Sequence, residues 1–87
     1  MKAINTQAGL KTLSGQELVN SFGRFGFSRV SQQGSHVKLR RSLSDGTRQI
    51  LTVPLHRELD RGTLMAIYRQ ALRFISEREL RPIFYAE

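Results

Sequence analysis

The chain has 87 residues, no cysteine, and fourteen Lys and Arg against seven Asp and Glu, a net charge of +7. That length allows one domain and no second core, and the lack of cysteine excludes disulfide and thiolate chemistry. No apolar run approaches the roughly 20 residues a membrane helix needs.

The start, Met1-Lys2-Ala3-Ile4-Asn5, lacks the apolar core of a signal peptide. The expected location is therefore the cytoplasm, with no membrane partner. Eleven of the cations are Arg, the residue suited to bidentate phosphate contact. Six cations and one acid, Asp45, lie between Arg24 and Arg48. Such clustering points to a polyanionic partner, either nucleic acid or an acidic protein.

Residues 1–13 show no period and read as an extended or flexible lead. Ser14 and Glu17 then have the spacing of a capping box, with Leu13 and Leu18 as its hydrophobic staple. Leu18, Phe22 and Phe25 form one apolar stripe, predicting a helix over about 15–25. Gly26 is placed to end it, with Phe27 folding back on Phe22.

Residues 27–33, 36–43 and 47–53 read as three strands. Gly34-Ser35 makes the first turn and Ser44-Asp45-Gly46 the second. Pro54 stops the third strand. A two-residue Asp45-Gly46 loop would mix apolar and charged side chains on each face of this hairpin. A three-residue loop with Gly46 left-handed pairs Leu39 with Leu51 and Val37 with Val53, which separates the faces. His36, Lys38, Arg40, Ile50 and Thr52 then share the outer face.

Leu59 and Asp60 repeat the staple-and-cap pattern before a second helix, whose stripe runs through Leu64, Ile67, Tyr68, Ala71, Leu72 and Ile75. Residues 76–87 read as a short third helix ended by Pro82. The order is α-β-β-β-α, an α+β fold with two helices on one face of a three-stranded antiparallel sheet. The opposite, cationic face stays open.

On that face His36 is the candidate catalytic residue. A histidine beside two fixed cations, just after a Gly-Ser turn, can bind a phosphate diester and move a proton. Lys38 and Arg40 are the leading phosphate contacts, with Arg29 and Arg48 behind them. Gly34 and Ser35 shape the turn, and their amides are placed to touch phosphate. His56 reads as a residue that orders the loop into the second helix by hydrogen bonding, with a direct catalytic role as the alternative, and the residues alone do not name a second proton carrier. Two histidines and scattered acids make neither a zinc nor a magnesium site. No metal and no cofactor is expected.

The series Gly26-Phe27, Gly34-Ser35-His36, Asp45-Gly46, Val53-Pro54-Leu55-His56, Glu58-Leu59, Gly62-Thr63-Leu64, Ile67 and Arg69-Gln70-Ala71 resembles the HicA toxins of bacterial toxin–antitoxin pairs. The resemblance covers about residues 14–75. It implies a fold like the double-stranded-RNA-binding domain, and a ribonuclease that cleaves mRNA and arrests translation. It also implies neutralisation by a HicB-type antitoxin in a hetero-oligomer. The family's catalytic histidine falls on His36. Residues 1–87 are then one HicA-like domain with a core near 14–75, flanked by a lead and a tail. Two other readings stay open: a non-catalytic RNA-binding module of the same fold, and an interaction protein that is basic because its partner is acidic.

Overall fold

The computed structural model describes residues 9–86; residues 1–8 of the expected lead, and Glu87 of the tail, lie outside them. The elements are α1 (Gly15–Gly23), β1 (Ser28–Gln33), β2 (His36–Ser42), β3 (Arg48–Pro54), α2 (Arg61–Ala71) and α3 (Glu77–Phe84). The sheet is antiparallel in the order β1-β2-β3. This is the expected α+β architecture, and the short third helix read in the tail is present as α3.

The capping box forms as the sequence requires: Ser14 Oγ accepts from Glu17 N–H and Glu17 Oε1 accepts from Ser14 N–H. At the other end α1 closes before the expected 25. Phe27 N–H donates to Phe22 O and Gly26 N–H to Gly23 O, around Gly26 at φ 91°. That pair of bonds is the Schellman motif, and it sets the Phe27 ring edge-on to Phe22 at 6.2 Å.

Leu39 pairs with Leu51 and Val37 with Val53, and all four are buried. Leu43 and Thr47 close a three-residue loop with Gly46 at φ 89°. The apolar side of the hairpin thus selected the register. Pro54 ends β3 but not the pairing, because Leu55 N–H still donates to Ser35 O at 2.6 Å. Hydrogen-bonded and open pairs alternate along an antiparallel ladder. Pro54 therefore occupies an open pair opposite His36, where its missing N–H would point to the sheet's free edge.

β1 departs from simple alternation. Its register slips between Arg29 and Ser31, a bulge at Val30, and every residue of the strand is exposed. α3 also departs from expectation: it runs through Pro82 rather than ending there. Proline removes one helical bond. Leu80 and Phe84, on either side of it, are fully buried, and their burial outweighs that loss. Phe84 packs against Phe22 and edge-on to Tyr68. Lys11 N–H donates to Phe84 O, and Leu10 bridges Tyr85, so the lead and α3 close over the helical layer together.

Among the described residues no helix is long and apolar enough to cross a membrane.

Candidate nucleic-acid interface and active site

β2 carries the site. Val37 and Leu39 are buried beneath the helices, so His36, Lys38 and Arg40 project from the opposite surface. Their partners on β3 are Pro54, Thr52 and Ile50, and Arg48 joins the same face opposite Ser42. On β1 they face Gln33, Ser31 and Ser28. His36 and Lys38 are exposed and Arg40 is half-buried. Ile50 is 37% exposed, the one large apolar side chain of β3 left in the cationic row.

Gly34 and Ser35 form a two-residue hairpin loop between the paired Gln33 and His36. Gly34 has φ 60° and Ser35 has negative φ. A type II′ turn demands that combination, so Gly34 fixes the direction in which His36 enters β2.

The remaining predicted residue lies elsewhere. Arg29 pairs with Leu39, which puts it on the helix side of the sheet. Its guanidinium donates to Gln32 Oε1 at 3.0 Å and reaches Gln16 of α1 at 3.4 Å. The structure gathers His36, Lys38, Arg40 and Arg48, with the Gly34-Ser35 turn at the end of the row, and leaves Arg29 across the sheet from them.

Arg41 is a residue whose role the composition conceals. It counts toward the basic cluster but shares the parity of Val37 and Leu39. Its guanidinium donates to Gln49 Oε1, Phe25 O and Phe74 O at 2.7–2.9 Å and lies 4.7 Å from the Phe27 ring centre. It ties the end of α1 to the turn after α2. Strand alternation was the signal that could have separated it from its neighbours.

His56 stands next to the row. It lies two residues beyond Pro54, the partner of His36, and its Nε2 is 3.4 Å from Ser35 Oγ. Its backbone carbonyl accepts from Gly15 N–H at 2.9 Å. Gly15 is required there, because a Cβ would collide with the Pro54 carbonyl oxygen. Asp60, the N-cap of α2, is held below the usual aspartate value chiefly by the Thr63 N–H, with the His56 charge a small contribution.

Among the described residues no group of three or more His, Asp or Glu is placed to hold a metal ion. A separate open cleft of about 590 Å³, lined by Lys11, Leu13, Glu17, Arg24, Phe25 and Ile83, lies among the lead, α1 and α3.

Among curated proteins no sequence matches the chain significantly. A family model, described as the HicA toxin of bacterial toxin–antitoxin systems, matches residues 15–72. That span runs from the first residue of α1 to just past α2 and contains all three strands and both histidines. The chain therefore belongs to the HicA toxin family.

Proposed function

We propose that this HicA family member is a ribonuclease that cleaves mRNA without a metal ion and so arrests translation. His36 is the proton-transfer residue of the site. A HicB-type antitoxin neutralises it by covering the same face, in a hetero-oligomer within the cytoplasm. The supporting observation is the single row of His36, Lys38 and Arg40 on the sheet face opposite the helices, with His36 and Lys38 exposed and Arg40 half-buried.

Lys38, Arg40 and Arg48 seat the phosphates, with the Gly34-Ser35 turn closing one end. The imidazole of His36 takes the proton from a ribose 2′-hydroxyl as that oxygen attacks the adjacent phosphorus. Cationic neighbours stabilise the charge that builds on the phosphorane oxygens. An acidic antitoxin segment is the natural cover for this surface.

The test is to induce the wild-type chain and His36→Ala in bacteria lacking the antitoxin, following growth and mRNA integrity. Growth arrest with mRNA loss in the wild type alone supports the reading. Equal arrest by both, with RNA bound but intact, favours the non-catalytic RNA-binding module instead.

A further inference from the structure

In-line cleavage of RNA moves two protons, one off the 2′-hydroxyl and one onto the departing 5′-oxygen. His36 accounts for the first. The sequence holds one other histidine, His56, and the fold brings it to the same end of the sheet. His36 faces Pro54, and the pairing continues through Ser35 O and Leu55 N–H before the chain reaches His56. His56 thus lies two residues past the strand partner of His36, at the end of the sheet where β2 begins.

The ring of His56 is not left to drift. Ser35 Oγ, on the residue immediately before His36, lies 3.4 Å from His56 Nε2. The backbone beneath the ring is held by the Gly15 N–H at the start of α1, where the close approach to Pro54 leaves no room for a side chain. His56 is exposed, as an imidazole that meets substrate must be.

We propose that His56 is the general acid of the site, positioned by the Ser35 hydroxyl. This rests on the ribonuclease reading above. As the 2′-oxygen bonds to phosphorus, His36 takes its proton. The P–O5′ bond breaks, and the imidazolium of His56 delivers a proton to O5′. The products are a 2′,3′-cyclic phosphate and a free 5′-hydroxyl, with neutral His56 and protonated His36 left to re-equilibrate with water. Ser35 is a positioning residue that keeps the His56 ring beside the phosphodiester.

The experiment compares two RNA oligonucleotides under single turnover, one with a natural linkage and one with sulfur in place of the bridging 5′-oxygen. A thiolate leaves without being protonated, so the sulfur linkage needs no general acid. The expected result is that His56→Ala cuts the natural linkage about 10²–10³-fold more slowly than wild type, the scale of a lost proton-transfer group. The same variant cuts the sulfur linkage at close to the wild-type rate. His56→Gln, which keeps a hydrogen-bonding side chain beside Ser35, behaves as His56→Ala does. His36→Ala loses both substrates. Ser35→Ala shows a smaller loss on the natural linkage that the sulfur linkage likewise relieves.

The proposal is overturned if His56→Ala retains the wild-type rate on the natural linkage, or loses both linkages equally. Recovery of natural-linkage cleavage by His56→Gln also overturns it, since a structural role would explain that. If the wild-type chain cuts neither substrate, the ribonuclease reading itself falls.

Discussion

The side-chain amide of Gln70 pairs with both backbone groups of Thr52. Its Oε1 accepts from Thr52 N–H at 2.8 Å and its Nε2 approaches Thr52 O at 3.5 Å. Thr52 sits in an open pair opposite Lys38, so its N–H and C=O point to the free edge of β3. α2 therefore blocks the edge that another strand could extend. Gln70→Ala exposes both groups to water at little cost to packing. The expected loss is about 1 kcal/mol in urea unfolding. Concentration-dependent association through the reopened edge is the second expected effect, measured by light scattering.

How much of this was legible depended on apolar periodicity. Val37, Leu39, Leu51 and Val53 allow one register, and Gly46 supplies the loop that register needs, so the hairpin followed from the residues alone. β1 offers no such pattern. Every one of its residues is exposed, and the Val30 bulge shifts parity without any apolar mark, which is why Arg29 ended up apart from Lys38 and Arg40. α3 was misread at Pro82 because local propensity cannot weigh the tertiary burial of Leu80 and Phe84. The Gln70 clamp and the Ser35–His56 contact join residues far apart in sequence, and neither carries a local signal.

Arg41 is a structural arginine inside a basic cluster. Three acceptors and an aromatic face surround its guanidinium. Arg41→Ala leaves the Phe25 and Phe74 carbonyls without this donor, and the expected loss is about 2–3 kcal/mol. Arg41→Lys recovers less than half of that, because a point ammonium cannot span the planar fork. Thermal unfolding of both variants checks this; equal stability of Arg41→Lys and wild type would remove the argument.

Phe84 lies outside the span matched by the family model, yet it is fully buried against Phe22 and Tyr68. Phe84→Ala should cost about 3–5 kcal/mol, the range for a large side chain removed from a packed core. A loss below about 1 kcal/mol, near the level of a typical surface substitution, would mean that α3 is an ornament on the sheet and not part of its support. Chemical denaturation of the full chain distinguishes the two.

Asp60 makes the chain sensitive to acid. The Thr63 N–H is the main cause of its lowered pKa, and the Thr63 side chain adds to it. A carboxyl with a depressed folded pKa stabilises the fold above its unfolded value of about 3.9 and loses that contribution as pH falls through the lower, folded value. Asp60→Asn keeps a capping side chain of equal quality. Its melting temperature should therefore match wild type at pH 7 and fall less steeply below about pH 4. Parallel melting curves across that range would show that the cap is not the titrating element.

The two faces of the sheet predict different salt behaviour for the basic residues. Lys38 and Arg40 share the His36 surface, whereas Arg29 hydrogen-bonds to Gln32 and Gln16 on the helix side. Binding is best measured in a His36→Ala background, where the RNA survives. There, Lys38→Ala and Arg40→Ala should each lower the slope of log affinity against log salt by about 0.7, one phosphate contact on a single strand. Arg29→Ala should leave the slope unchanged while reducing stability by about 0.5 kcal/mol or less, as for an exposed polar contact. Charge counting alone would make the three substitutions equivalent. An equal change in slope for all three would mean that RNA wraps the edge of β1 and that the binding surface is wider than the His36 row.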